Sequence, residues 1–353
     1  MLTTHERFMK AALREAERWT GCTSPNPVVG AVIVKGGRIL ARGAHERAGS
    51  PHAEVMALKN LHTLSSNGPA RGATLYVTLE PCCTHGRTPP CTEAILEAGF
   101  TRVVIGTLDP NPLHAGRAVQ ILEAAGVEVM VGVLESNCAA ANRAFFKRIT
   151  TGTPWVIAKA AMSLDGRMTR PPGEGQWITG PAARRDAHRL RASVDAILVG
   201  ANTLRMDNPR LTIRGVPVPA HKIQPWRVAL SRGASQLPKD AHLFTDEHKN
   251  RTLVYSGKSL GEVLDDLGAR GVNSLLVEGG GETLGAFFDA GLVDEVCFYM
   301  APLICGGPHS AVGGLGAAGT ESAWKIAEPR YKKIGRDIRM TGLVAHGAIA
   351  VRS

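Results

Sequence analysis

At 353 residues, 44% hydrophobic and 20% charged, the chain has the composition of a soluble globular protein and the length of two domains rather than one. The stretch MLTTHERFMKAALREAERW is charged throughout and no apolar run reaches the roughly 18 to 20 residues of a membrane span, so neither signal peptide nor membrane segment is expected and the cytoplasm is the predicted location. The formal charge of +10 divides into +4 over residues 1–148 and +6 over the rest, with no basic tail and no Lys/Arg run interleaved with aromatics, which speaks against nucleic acid and suits phosphorylated small molecules.

In chain order, the first half alternates helix and strand. An amphipathic helix is predicted over about 5–18, then the β-branched run VVGAVIV (28–34) and a strand near 38–44. A helix over about 52–61 follows Pro51. ATLYVTLE (73–80) reads as a buried strand, and CTEAILEAG (91–99) as a short helix closed by Gly99. A strand (102–109), a helix (116–126) and a strand (127–133) come next, and ESNCAAANRAFFKRI (135–149) is predicted as one final helix. The TTGTP segment at 150–154 marks the boundary, giving domains 1–148 and 149–353. Strands then restart at WVIAKAAM (155–162), VDAILVG (194–200), WRVAL (226–230), RTLVYS (251–256), NSLLVEGG (273–280) and DEVCFYMAP (294–302), around an irregular passage near 214–225. This alternation predicts α/β domains with sheets covered on both faces. No motif repeats between the halves, so they are different domains.

Seven cysteines, an odd number, argue against a disulfide framework, and three of them (Cys82, Cys83, Cys91) fall within ten residues. With His52-Ala53-Glu54 upstream, they suggest a zinc centre. His52, Cys82 and Cys91 supply three ligands and leave the fourth position open for a water of lowered pKa. Glu54 is placed to move protons as the single general acid/base. HxE followed by Pro-Cys and a second Cys is the zinc-deaminase pattern, except that eight residues separate the cysteines here. The alternative is a structural four-ligand site using Cys83, which adjacent cysteines reach only with strain. Cys83 is read as a bystander.

The spacer PCCTHGRTPPC resembles that of the bifunctional deaminase/reductases of riboflavin biosynthesis, as do SPNPVVGAVIV (24–34), GAHERAGSPHAEVMAL (43–58), TLEPC (78–82) and DPNP (109–112). The resemblance extends through KAAMSLDGRM (159–168), GEGQWITG (173–180), LRASVDAILVGANTLRMDNPRLTIR (190–214) and VEGGGETL (277–284), covering nearly the whole chain. It implies a cytidine-deaminase-like α/β/α domain followed by a dihydrofolate-reductase-like α/β domain. The implied activities are deamination of 2,5-diamino-6-ribosylamino-4(3H)-pyrimidinone 5′-phosphate, then reduction by NADPH of its ribosyl group to ribityl, giving 5-amino-6-(5-phosphoribitylamino)uracil. By the same resemblance Asn26 hydrogen-bonds the pyrimidine, and His45 and Arg87 face its polar groups and phosphate. Relatives carry Ser-His where this chain has Cys83-Thr84; His85 is the available substitute.

In the second half no GxGxxG follows a strand, so a Rossmann site is unsupported. LLVEGGGETLGAFF (275–288) is instead a strand, three glycines and a helix: a phosphate cradle or merely a tight connection. The resemblance implies that Ala161, Trp177, Thr203, Asp207, Ser231 and Gly280, Gly281, Glu282, Thr283, Leu284, Gly285 and Ala286 line the nicotinamide cofactor. It also implies that Lys159, Gly175, Arg191, Leu211, Arg214 and Glu278 serve the substrate. Gly175 departs from a more usual Ser. Lys159 and Glu278 either handle protons or only orient the substrate, while Arg191 and Arg214 suit its phosphate. One zinc per chain, NADPH and a phosphorylated pyrimidine are thus the expected ligands, and a homo-oligomer is expected. The rivals are a deaminase with a degenerate second domain, a nucleic-acid deaminase and a zinc module without catalysis.

Overall fold

The computed structural model describes residues 2–64, 70–85, 89–168, 177–231, 233 and 237–345. The chain divides into two compact units, Met1–Gly152 and Thr153–Ser353.

In the first unit, α1 (Thr4–Glu17) opens with a capping box in which Thr3 Oγ1 accepts from Glu6 N and Glu6 accepts from Thr3 N. The hairpin of β1 (Gly30–Lys35) and β2 (Arg38–Ala44) turns on Gly36 and Gly37, both at positive φ as a two-residue hairpin requires. Then follow α2 (Ala53–Leu64), β3 (Thr74–Leu79), α3 (Cys91–Ala98), β4 (Arg102–Thr107), α4 (Arg117–Ala124), β5 (Glu128–Val131), α5 (Glu135–Ala141) and α6 (Arg143–Thr151). The sheet runs β2-β1-β3-β4-β5, antiparallel about β1 and parallel from β3 to β5. Period-two alternation splits each strand between two cores. Ala31, Ile33, Leu75, Val77, Val103 and Ile105 pack against α2, α3 and α4. Val32, Val34, Tyr76 and Val104 meet Phe8, Met9, Ala12 and Leu13 of α1 and Cys138 of α5 on the other face.

The single helix expected over 135–149 is two. Asn142, at φ −113° and ψ 12°, separates α5 from α6. Its amide leaves the helix to pair with Val28, accepting from Val28 N at 2.8 Å and donating to Val28 O at 2.9 Å. An amide side chain that binds backbone elsewhere competes with helix continuation. The same contact occupies Val28, and β1 begins two residues later than the run VVGAVIV suggests.

The second unit contains β6 (Trp155–Ser163), α7 (Pro181–Ala192), β7 (Ala196–Gly200), α8 (Ala201–Asp207), β8 (Trp226–Ser231), α9 (His242–Thr245), β9 (Thr252–Ser256), α10 (Leu260–Ala269), β10 (Ser274–Val277), α11 (Gly281–Asp289), β11 (Glu295–Ala301), β12 (Lys325–Ile334) and β13 (Asp337–Ala345). Its sheet order is β12-β13-β11-β6-β10-β7-β8-β9, with six parallel strands and an antiparallel hairpin, β12–β13, on one edge. That hairpin had no counterpart among the strands expected from sequence. β12 is an edge strand, mostly exposed, and carries Pro329 with Glu328 at φ 48°, where the register slips. One core forms under α10 and α11, the other under α7 and α8. Because β10 inserts between β6 and β7, the chain reverses direction there, and a parallel sheet opens its ligand crevice at such a point.

Candidate active sites

Three segments converge beyond the C-terminal end of β3. His52 caps α2, its carbonyl accepting from Met56 N at 2.9 Å. Cys82 follows β3 after two residues, and Cys91 is the first residue of α3, whose cap Pro90 offers no side-chain bond. The uncapped start of α3 therefore turns to Cys82: Cys91 N donates to its Sγ at 3.3 Å and Thr92 N to its carbonyl at 3.3 Å. His52 Nδ1 lies 3.3 Å from Cys91 Sγ and 3.4 Å from Cys82 Sγ, and the three donor atoms fall within 4.8 Å of one another. Tetrahedral zinc with its usual bond lengths spans nitrogen and sulfur by about 3.6 Å, so the residues fit a zinc ion with little movement. The hydrogen bond from Cys91, working against the cost of burial, holds the Cys82 thiol down to about 4, and the same bond pushes Cys91 up. One proton is shared where a divalent cation makes both groups thiolates.

Glu54, in the first turn of α2, is 3% exposed, and burial raises its pKa. His45 is equally buried, with its ring 5.3 Å from that of His52 and edge-on to it. Burial lowers the pKa of His45. The neutral ring has one tautomer compatible with its neighbours: Nδ1–H donates to Pro51 O at 3.2 Å, and Nε2 accepts from Asn26 Nδ2 at 3.0 Å. Asn26 and His45 are thus one unit beside the His52 ring. Cys83 Sγ points away from the Cys82 and Cys91 sulfurs, 3.8 Å from His114 Nδ1. His85 is exposed, 3.6 Å from Glu93. Arg87 lies outside the described residues.

A residue that the sequence analysis passed over sits just ahead of the metal turn. Glu80 is 4% exposed and accepts from three backbone amides, Asp109 N at 3.2 Å, Gly116 N at 3.0 Å and Ala118 N at 3.1 Å. The only signal was its place in TLEPC, an acid at the end of an otherwise apolar strand.

In the second unit Glu278, directly after β10, is the hub. Arg191 of α7 grips it with Nε to Oε1 at 2.7 Å and a terminal nitrogen to Oε2 at 2.9 Å, and Lys159 of β6 stands 3.4 Å away. Burial penalises the carboxylate, but Arg191 and then Lys159 outweigh it and hold Glu278 well below the usual carboxylate range. It is a fixed anion. Arg191 also donates to Thr212 O at 3.2 Å, so its guanidinium is engaged by both Glu278 and the 212 segment. Arg214 remains exposed, donating from its guanidinium to Thr212 Oγ1 at 3.1 Å and from its backbone N to His188 Nδ1 at 3.2 Å. Burial and the charges of Arg191 and Arg214 hold His188 down to about 4, so its ring is a neutral acceptor. Leu211, at φ 50° and 1% exposed, has its side chain in the core.

Around the glycines, Thr203 Oγ1 accepts from Gly280 N at 3.1 Å. A Cβ on Gly281 would lie 2.2 Å from Ser310 O, and one on Gly285 2.3 Å from the Gly313 carbonyl carbon. Both glycines answer to the 310–314 segment packed on α11. Leu284 is fully buried in the core, so only its backbone can meet a ligand; Glu282 is exposed, and Thr283 and Ala286 are half-buried. Ala161 is half-buried, Asp207 is exposed at the end of α8, and Trp177 is exposed with Arg184 5.1 Å from its ring centre. Gly175 lies outside the described residues. A cavity of about 440 Å³ opens beyond β8 and β9, lined by Ser231, Leu237, Lys239, Phe244, Val254 and Ser256 among others. The start of α11, the crevice and a cavity lined by both apolar and polar side chains are features from which a dinucleotide site is built.

Residues 2–107 match the cytidine and deoxycytidylate deaminase zinc-binding region, and residues 154–338 match the RibD C-terminal domain. The riboflavin biosynthesis protein RibD of Aquifex aeolicus is 40% identical, over 94% of this chain and 96% of its own. The chain belongs to the RibD family. RibD of Escherichia coli is 39% identical over 85% of this chain and 88% of its own. Acinetobacter baumannii RibD superposes with a TM-score of 0.88 at 36% identity, covering 97% of this chain and 99% of that one. A diaminohydroxyphosphoribosylaminopyrimidine deaminase/5-amino-6-(5-phosphoribosylamino)uracil reductase of Thermotoga maritima superposes at 0.87 with 34% identity, over 97% of this chain and 99% of its own. As a RibD-family enzyme the chain is a bifunctional deaminase and reductase of riboflavin biosynthesis, with zinc and NADPH as cofactors. The expected fold, a cytidine-deaminase-like domain ahead of a RibD reductase domain, is the one found. Among the described residues no helix is long and apolar enough to cross a membrane.

Proposed function

We propose that His52, Cys82 and Cys91 hold one zinc ion, that Glu54 is the proton carrier of the deaminase, and that the substrate is the diaminopyrimidine ribotide. The observation that carries this reading is the convergence of His52 Nδ1 with the two sulfurs beside a buried Glu54. Zinc, when bound, supplies a Lewis acid and an activated water. The chain's own residues do the rest. Glu54 takes a first proton from the attacking water and gives it to the ring nitrogen, then carries the second, from the added hydroxyl, to the departing ammonia. Burial keeps that proton out of exchange with solvent and brings the carboxyl nearer the pH at which it must both accept and donate. Asn26 and His45, locked together, offer a fixed polar edge for the pyrimidine.

In the second unit Glu278 orients, and Lys159 is the group left to hold a mobile proton near the ribosyl carbon. NADPH supplies the electrons when bound. Thr203, Ser231, Asp207, Ala161, Trp177 and the start of α11 are its proposed neighbours, and exposed Arg214, with its backbone held by His188, takes the phosphate of the substrate. Because Glu278 is anchored by two cations, the reading of it as a proton donor is the weaker one. The intact protein, given the ribotide, should release ammonia without NADPH and oxidise NADPH only once ammonia has been released. NADPH oxidation before any ammonia appears would reverse the order proposed here. A homo-oligomeric state and the absence of a nucleic-acid partner belong to the same proposal.

A further inference from the structure

Glu80 lies two residues before Cys82, and its own backbone N donates to Thr107 O at 2.9 Å, the last tie between β3 and β4 before the chain turns into the metal site. Its carboxylate is buried and, among the described residues, forms no ion pair. Three backbone amides hold it instead: Asp109 N and Gly116 N on one oxygen, Ala118 N on the other. Two of these belong to the start of α4, where Gly116 at φ 76° provides no side-chain cap. Glu80 is therefore the missing N-terminal anion of α4, delivered from a different strand. The third amide opens the DPNP turn. There Asp109 Oδ1 accepts from Asn111 N at 2.9 Å and Asn111 Oδ1 accepts from Leu113 N at 3.1 Å. The same turn carries His114, against Cys83. A buried carboxylate left without these amides would carry a large desolvation cost, so the turn, the helix and the Cys82 segment stand or fall together.

We propose that Glu80 is a positioning residue of the deaminase centre, fixing the direction in which Pro81-Cys82 leaves β3 by anchoring that segment to the start of α4 and the DPNP turn. The proposal rests on Cys82 being a zinc ligand, and it assigns work to the DPNP motif that the proposed chemistry leaves unused.

Two measurements test it. In Glu80→Gln, one acceptor oxygen becomes a donor facing an amide. Zinc loss to a chelator should quicken roughly 10- to 100-fold, the usual effect of removing a partner that orients a ligand. kcat for ammonia release should fall with KM nearly unchanged, Glu80→Asp should recover part of the loss, and reduction of deaminated product supplied directly should stay at the wild-type rate. A variant that melts earlier but keeps wild-type zinc release and kcat overturns the proposal. The second measurement needs no substitution. Coupling between two sites is reciprocal, so stripping zinc from the wild-type protein should speed amide exchange at Asp109, Gly116 and Ala118 while the amides of β1 hold. Unchanged exchange at those three amides also overturns it. Zinc retained by Cys82→Ser would instead defeat the ligand reading, and the two failures are told apart.

Discussion

Replacing Arg191 with Ala should turn Glu278, an anion clamped deep in the second unit, from a support into a liability. Arg191 gives Glu278 two bonds of 2.7 and 2.9 Å, and their side chains are only 14% and 7% exposed. Lys159 at 3.4 Å is then the remaining cation within reach. Removing one partner of a buried pair typically costs about 3–5 kcal/mol, a large part of a domain's whole stability of roughly 5–15 kcal/mol. The dependence on pH should change sign. In the wild type the folded pKa of Glu278 is depressed, so its contribution is complete above the ordinary carboxylate pKa and is lost only as pH falls towards the folded value. Without Arg191 the burial penalty dominates, the folded pKa rises, and acidification towards pH ~5 should recover stability that neutral pH removes. Four of the five tryptophans (Trp155, Trp177, Trp226, Trp324) lie in the second unit, so urea unfolding followed by tryptophan fluorescence reports mainly on it. Ammonia release should survive while NADPH oxidation falls. A loss below ~1 kcal/mol, with stability still declining as pH drops from neutral, would refute the view of Glu278 as an anion that needs its clamp.

Further outcomes follow from the same geometry. Glu54→Gln should retain zinc and lose ammonia release by at least about 10²- to 10⁴-fold, measured as ammonia per bound metal; retained deamination removes Glu54 from the chemistry. Metal analysis should find one zinc per chain, reduced in Cys82→Ser and Cys91→Ser and unaltered in Cys83→Ser, whose sulfur faces His114 instead. Leu284→Ala should cost about 2–5 kcal/mol of second-unit stability and leave the KM for NADPH of the folded protein near wild type, because the side chain is in the core; a large KM change at full stability would place it against the cofactor.

The convergence of His52, Cys82 and Cys91 was legible because a metal site requires specific residue types at strand and helix ends, and period and spacing reveal those ends. His52 falls just ahead of α2, as Pro51 implies, and Cys91 at the start of α3, as the expected helix over 91–99 implies. What could not be read is whatever depends on partners distant in sequence. Asn142 looks like an ordinary helix residue until Val28, 114 positions earlier, takes its amide. Arg191 suits a phosphate by residue type, and nothing in the sequence around it announces its bond to Glu278, 87 positions later. The β12–β13 hairpin escaped because EPRYKKIGRD is charged and Pro-interrupted, and such an edge strand needs no apolar alternation to pair. Glu80 escaped for the opposite reason: its partners are backbone amides, which leave no side-chain signature.

The packing of Gly281 and Gly285 against Ser310 and Gly313 limits how this enzyme can be re-engineered. A designer wishing to change its preference among nicotinamide cofactors would turn first to the glycine run, the natural place to add a discriminating side chain. At Gly281 and Gly285 such a side chain would collide with main chain and dislodge the 310–314 segment before it could touch a ligand, whereas a Cβ on Gly280 would meet only Thr203 Oγ1, at 3.6 Å. The positions open to redesign are Gly280 and those where a side chain already borders free space, Ser231, Lys239 and Ser256 around the cavity beyond β8 and β9.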